Sequence, residues 1–418
     1  MLKVRIRILL KRIFLKPISN ISIQCNMEKI NVAFWNLGNL FDTVTTSSIA
    51  SDLEFTPPRG WDDAAKEKKM ENLAKTINSL HNGEGPDLMG LCEIENEKTA
   101  KELIEKLEKQ DVYAVAQYTD SPDIRGIDTC LIYSKNMFRF NFAKSYNINF
   151  RYPTRDVFLV NLSVLQNNAE ISILVNHWPS RGGGRFETEP LRIGVAENCA
   201  RAVEDVVKVP IGELQNFPDN IRNNEEVLAK INQRWNRNVL IMGDFNDNPY
   251  DRSILSYLHA TPDKNRLIDW KDLFEHPNLR KWPASRQTDK HNYLFQHASL
   301  YNCMWGLIPD GTIFYDGGFD LFDQFIVSKG LLHGEQGLKM DLGGLKIDKS
   351  TKMMNHLHHD TFEPHGEGKI HPIYRESPME FVYIKKDQDG NDRYMPSGRD
   401  SHTGFSDHFP IQSVVDIL

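Results

Sequence analysis

The sequence predicts a single layered domain of the mixed α/β (α+β) class. Three observations carry that reading. Short apolar runs of strand length recur between polar turns. Stretches with helical spacing alternate with them. The mixture continues along one span from residue 30 to residue 417, with no internal repeat.

INVAFWN (30–36) reads as the first strand. Residues 66–80 follow with Met70, Leu73, Ile77 and Leu80 on one helical face. DLMGLCE (87–93) is a second strand, 99–107 a second helix, and TCLIYS (129–134) a third strand. VFLVNLSVL (157–165) and ISILVNH (171–177) come next, then a helix over 191–207. NVLIMGD (238–244), DQFIVS (323–328) and FPIQSVV (409–415) complete the strands. Two segments read as insertions within a domain spanning 30–418. Residues 204–237 are polar, charged and helical in pattern. Residues 332–378 are rich in Gly, Lys and His and lack periodicity.

Residues 1–29 read as a basic N-terminal tail, with no acidic residue before Glu28. Lys11 and Arg12 interrupt the unbroken apolar core that a secretory signal needs. Met27 as the true start, a targeting segment, or a surface-binding helix are the other readings of this stretch.

The 418 residues are 40% hydrophobic and 26% charged, enough to bury a large core. A formal net charge of -7 argues against a surface that tracks a nucleic-acid backbone throughout, while leaving room for a local basic cleft. The five cysteines are scattered, with no CxxC pair. They give no disulfide framework and no zinc site, which favours a reducing compartment. No run reaches the roughly 18 apolar residues of a membrane span. A cytoplasmic location is the expectation, with export as the alternative. No stable membrane association and a monomeric state are expected as well.

The informative residues stand at strand ends. Asn36 and Glu93 close two strands, His177 a third, and Asp244 with Asn246 a fourth. Asp323 opens one strand, and Asp407 and His408 stand just before another. One such residue is ordinary turn chemistry. Six segments whose ends reach one sheet rim would build a single polar cluster. Oxygen ligands from Glu93, Asn36 and Asp407 suit Mg²⁺, with Mn²⁺ or Ca²⁺ as alternatives, rather than zinc. His177 and His408 can donate to phosphate oxygens or carry protons. Asp244 can orient and deprotonate a water that Asn246 helps to hold. Arg181 and Gly182 to Gly184, in NHWPSRGGG, offer a guanidinium fork and approachable backbone N–H groups to a phosphate. This is equipment for hydrolysing a phosphate ester.

Taken in order, FWNLGNLFD, DLMGLCEIEN, RGIDTCLIYS, NHWPSRGGG, IMGDFND, DQFIVS and GFSDHFP resemble the endonuclease/exonuclease/phosphatase superfamily over nearly all of 30–417. Each motif alone is a weak signal; the ordered set is a strong one. The WNxxNLFD opening and HWPSR look closest to a bacterial branch. The resemblance implies a four-layer α/β/β/α sandwich: two packed mixed β-sheets flanked by helices, with the site at one end. It implies Glu93 as the main metal ligand, with Asn36 and Asp407 near the same ion. His177 and His408 would contact the scissile phosphate, Asp323 would orient His408, and Asp128 would orient His177. Asp244 and Asn246 would position the water for in-line attack.

The substrate expected is nucleic acid, cut as a sequence-nonspecific endonuclease would cut DNA or RNA. A phosphatase or phosphodiesterase on a small or lipid phosphoester is the alternative, and an inactive scaffold is the reading from another class. Inositol phosphatases of the superfamily carry a Cys-Asp-Arg stretch where this chain has FDQFIVS, which counts against inositol phosphates. Residues 54–61, EFTPPRGW, read as a lip over the site. NHLHHD (355–360), with His365 and His371, is a histidine-rich tract in the second insertion and reads first as surface loop. Asp247 and Asp251 read as turn formers.

Overall fold

The computed structural model describes residues 28–44, 53–273, 288–355, 376–394 and 400–418. The basic tail 1–27, and His356 to Asp360, His365 and His371 of the histidine-rich tract, lie outside the described residues.

In chain order the strands are β1 (Lys29–Leu40), β2 (Leu88–Ile94), β3 (Tyr113–Val115), β4 (Asp128–Ser134), β5 (Phe138–Tyr146), β6 (Val157–Val164), β7 (Glu170–His177), β8 (Asn238–Asp244), β9 (Ala260–Thr261), β10 (Leu300–Asn302), β11 (Ile313–Tyr315), β12 (Gly318–Asp320), β13 (Asp323–Val327), β14 (Leu338–Ile347), β15 (Lys385–Lys386), β16 (Asp392–Tyr394) and β17 (Ile411–Ile417). They form a six-stranded sheet, β14-β17-β1-β2-β4-β3, and a seven-stranded sheet, β5-β6-β7-β8-β13-β10-β9, beside two small hairpins. Both large sheets are mixed. The parallel neighbours β1 and β2 sit inside the first, and the parallel neighbours β7 and β8 sit inside the second.

Alternation along the strands sets the layers. On β1, Val32 and Phe34 face the core between the sheets, while Ala33 and Trp35 face an outer layer. Val160, Ile173, Val175, Met242 and Phe325 of the second sheet fill the same central core. Helix α1 (Asp63–Gly83) and helix α2 (Glu97–Glu105) cover the first sheet with Met70, Leu73, Ile77 and Leu103. Helix α3 (Arg185–Val207) covers the second with Val195, Cys199 and Val203. The result is the expected α/β/β/α sandwich. Local chemistry starts the helices where the spacing predicts. The Asp62 side chain accepts from Ala65 N at the head of α1, and Asn96 accepts from Thr99 N at the head of α2.

Residues 204–237 hold the end of α3 and the helices Ile211–Leu214 and Glu225–Trp235, packed with Trp270 and Tyr293 in a small apolar cluster of their own. Residues 332–378 correct the sequence reading. They contain β14, which pairs with β17 at the edge of the first sheet. Its register shifts between Asp341 and Lys346, around Gly343 and Gly344, and that bulge breaks the period-two pattern by which a strand is read. Among the described residues no helix is long and apolar enough to cross a membrane.

Candidate active site

The second sheet delivers a row of polar ends. His177 is level with Asp244 across the parallel β7–β8 pair, and Asp323 is level with Asp244 across β8–β13. Gly243 lets the strands close here, because a Cβ on it would lie 2.3 Å from the Asn176 carbonyl oxygen. His408 enters from the turn before β17. Its carbonyl accepts from Trp35 Nε1 at 2.8 Å, and its Nδ1 donates to Asp323 Oδ2 at 2.7 Å. That leaves its Nε2 facing Asp244 Oδ2 at 3.8 Å. His177 Nε2 lies 3.7 Å from the same Asp244 oxygen and 3.6 Å from Glu93 Oε1.

The first sheet brings Asn36 and Glu93 to the same end. Asn36 Nδ2 donates to Asp244 Oδ2 at 3.0 Å, and Asn36 Oδ1 accepts from Gly38 N at 2.9 Å. Glu93 has a left-handed backbone, φ +60°, which costs a non-glycine residue about 1–3 kcal/mol and is concentrated at functional positions. Its Oε2 accepts from Asn39 N at 2.8 Å. Gly38, at φ +63°, makes the tight turn between these contacts, and Asp407 Oδ1 lies 3.0 Å from where its Cβ would be. Lys69 of α1 reaches the back of this turn and donates to the carbonyl oxygens of Gly38 and Asn39.

Burial and charge divide the titrating groups. Burial, helped by Arg155, Arg125 and the other imidazole, holds His177 well below the ordinary histidine pKa. Burial works against charge on His408 too, but the Asp323 and Asp244 carboxylates outweigh it and hold this ring well above the ordinary value. One histidine is therefore neutral and the other charged at neutral pH. Asp244 is pushed up to about 7 by burial, against the pull of His408. Burial lowers Lys69 to about 8, while Asp407, Glu380 and Glu93 favour its charge. Titratable neighbours pushed apart in this way are the mark of acid–base sites.

Two donor sets bear on a metal ion. Asp244, Asp323 and His408 place one ligand atom each within 4.8 Å of one another. In that set His408 Nδ1 is already committed to Asp323. Asn36, Glu93 and Asp407 offer oxygens alone, and Glu93 Oε1 and the exposed Asp407 carboxylate accept from no backbone N–H among the described residues. A hard divalent ion fits this second set. His177 Nδ1 and Asp323 Oδ1 are buried without a hydrogen-bond partner among the described residues.

Asn246 stands beside the row, with φ +50°; its N–H donates to Asp244 Oδ1 at 2.9 Å and its Nδ2 to Trp178 O at 3.0 Å. Two sequence expectations need correction. Arg181 does not present a free fork to phosphate. It is 4% exposed. Its guanidinium donates to Asn246 O at 2.8 Å, Asp247 at 3.0 Å and Asp251 at 2.7 Å, and lies 4.5 Å over the Phe322 ring. Asp251 closes the turn from Asn248, as the sequence suggests, and Asp247 and Asp251 are also the partners of a structural cation. Arg192 adds a second cation to Asp247, at 2.8 Å. Asp128 does not orient His177. It accepts from Tyr118 Oη at 2.7 Å and Ser121 N at 2.9 Å, which ties down the loop before β4. Residues 54–61 pack beside the site, where Trp61 joins Phe55, Phe381 and Tyr383. The sequence reading also missed Lys69, whose place beside Met70 on α1 carried no signal of a buried charge, and Arg125 and Arg155, whose loops carry no apolar periodicity.

Residues 31–212 match the Endonuclease/Exonuclease/phosphatase family. Asp244, Asp323 and His408 lie beyond the matched span. No curated protein matches the chain in sequence. Among solved structures, the chain is similar to an endonuclease/exonuclease/phosphatase family protein from Bacteroides thetaiotaomicron at 12% identity and TM-score 0.46, covering 94% of this chain and 99% of that one. It is similar to the human Nocturnin catalytic domain at 13% and 0.44, covering 93% and 95%. It is similar to a mannosyl-6-phosphatase from the same bacterium at 12% and 0.44, covering 93% and 99%.

Proposed function

We propose that this chain, whose residues 31–212 match the endonuclease/exonuclease/phosphatase family, is a divalent-metal-dependent phosphodiesterase that cuts DNA or RNA without sequence specificity. The observation that carries the reading is the convergence of His177, Asp244 and His408, with two imidazoles within 3.8 Å of one carboxylate oxygen. A carboxylate raised to about 7 is matched to deprotonating water near neutral pH.

Glu93, Asn36 and Asp407 would hold the ion, Mg²⁺ by preference with Mn²⁺ or Ca²⁺ as substitutes, and it would supply charge stabilisation at the phosphate and the leaving oxygen. Asp244 accepts the proton of the attacking water, and Asn246 helps to hold that water. Neutral His177 donates one hydrogen bond to a phosphate oxygen. Charged His408, held by Asp323, donates a stronger one from Nε2. The Asn36 bond to Asp244 Oδ2 keeps the base aligned while it is ionised.

The substrate class is tested with supercoiled plasmid, single-stranded DNA and RNA, each with Mg²⁺, Mn²⁺ or EDTA, beside Glu93→Gln. Metal-dependent nicking that the variant lacks supports the nuclease reading. If a chromogenic phosphodiester is cleaved while all three polymers stay intact, the substrate is a small or lipid phosphoester.

A further inference from the structure

The correction at Arg181 leaves the site without its expected phosphate contact. Four other cations lie close by, and three are occupied. Arg192 pairs with Asp247, Lys69 donates to two backbone carbonyls, and Arg155 is spent on three oxygens. Arg125 differs. Its guanidinium has one carboxylate neighbour among the described residues, Asp123, at 3.7 Å, and its side chain is 38% exposed.

The loop that carries Arg125 is fixed to the catalytic row by a buried ion pair. Asp123 and Arg155, with side chains 4% and 5% exposed, meet at 2.8 Å. Arg155 Nε donates to His177 O at 3.2 Å, and its Nη2 donates to Trp178 O at 2.7 Å. On the other side of the pair, Asp123 Oδ1 accepts from Arg125 N at 2.8 Å, and Asp123 O accepts from Gly126 N at 3.0 Å. The buried pair therefore joins the backbone of Arg125 to the backbone of His177. Asp128 holds the loop again where it enters β4. A tethered loop that carries an arginine with unspent donors suits bidentate recognition of two phosphate oxygens. Asp123 lies two residues before Arg125 and is held through Arg155 to the carbonyls of His177 and Trp178, so the arginine is anchored beside the catalytic row.

We propose that Arg125 is the residue that binds the substrate's phosphoryl group, giving its N–H donors to the non-bridging oxygens opposite the two histidines. The inference rests on the phosphoester reading of the site. It also gives the Asp123–Arg155 pair a role: these two are positioning residues that act through Arg125 and the backbone of His177. An arriving phosphate would meet one fixed cation, one charged imidazole and one neutral imidazole, and the carboxylate that receives the water's proton lies behind them.

The test uses the full chain with two probes, inorganic phosphate by titration calorimetry and bis(p-nitrophenyl) phosphate by initial rates with Mg²⁺. Arg125→Gln should weaken phosphate binding about tenfold or more and raise KM by a similar factor, with an unchanged thermal midpoint. Arg125→Lys should recover only part of both, because a point charge replaces a fork. Arg201→Gln removes an exposed cation on α3 and should change neither. Asp244→Asn should lose turnover yet keep phosphate binding. If the wild type turns over and Arg125→Gln matches it within twofold in KM and in phosphate binding, the assignment of Arg125 is overturned and the site reading stands. If the wild type neither binds phosphate nor turns over the diester, both fall together.

Discussion

Asn36 Nδ2 donates to Asp244 Oδ2 at 3.0 Å, and this bond runs from the first sheet to the second. The same Asp244 oxygen lies 3.7 Å from His177 Nε2 and 3.8 Å from His408 Nε2. The two halves of the sandwich thus meet on one buried carboxylate, and its protonation state becomes a property of the whole rim.

A raised pKa on Asp244 has a consequence for stability. Its folded pKa, about 7, lies above the ordinary 3.8, so the folded chain binds the proton more tightly than the unfolded chain. That contribution is fully present below about pH 4 and is lost as pH rises through about 7. Above pH 7 the ionised carboxylate is held at a cost of at most roughly 4 kcal/mol. Asp244→Asn should therefore be more stable than the wild type at pH 8 in EDTA, with the gap closing toward pH 4. Urea unfolding at several pH values checks this. Equal midpoints at pH 8 would remove the strained carboxylate from the account.

Lys69 holds the turn that presents Asn36 and Glu93, through the carbonyls of Gly38 and Asn39. Lys69→Met should leave these carbonyls unpaired and loosen the ligand set. Outer contacts of this kind change metal affinity by about 10–100-fold. We expect the Mg²⁺ concentration for half-maximal turnover to rise at least tenfold. An unchanged metal requirement would place the ion elsewhere.

Arg181 separates structure from substrate binding. Arg181→Gln takes one of two cations from Asp247 and from Asp251, which keep Arg192 and Arg185, and should cost roughly 1–3 kcal/mol. Its KM, measured on the folded fraction below the lowered melting temperature, should stay within about threefold of the wild type. A large rise in KM with full stability would restore the phosphate role.

His81 gives a probe far from the chemistry. It stands at φ +51° where α1 unwinds, with Nε2 3.1 Å from Val32 O, and burial lowers its pKa from 6.5 to about 4. A depressed histidine contributes stability above the unfolded pKa, and this is lost as pH falls from about 6.5 toward 4; the full span is worth roughly 3 kcal/mol. His81→Asn suits the left-handed backbone. It should flatten the pH dependence of stability between 4 and 6.5 relative to the wild type, and identical slopes would count against a neutral buried ring.

Much of this was legible in the sequence, and the reasons differ by element. β2, β7 and β8 are buried on both faces and read as unbroken apolar runs, so their polar ends stood out. Register then brought His177, Asp244 and Asp323 level. β14 was hidden by its bulge. Arg181 was misread because an arginine after a strand looks the same whether it turns outward to a ligand or inward to Asp247 and Asp251. Asp128 was misassigned for a related reason: a carboxylate at a strand start has many partners within reach, and here Tyr118 and Ser121 take it. Burial of single charges is a tertiary property, and Lys69 shows it most plainly.

The most direct test of the central claim is turnover of bis(p-nitrophenyl) phosphate with Mg²⁺ by the wild type and by Asp244→Asn, each repeated in EDTA. The account predicts metal-dependent turnover in the wild type and a loss of about 10²–10⁴-fold in the variant, as expected when a positioned base is removed. Turnover by Asp244→Asn within threefold of the wild type, or wild-type turnover that persists in EDTA, would contradict it.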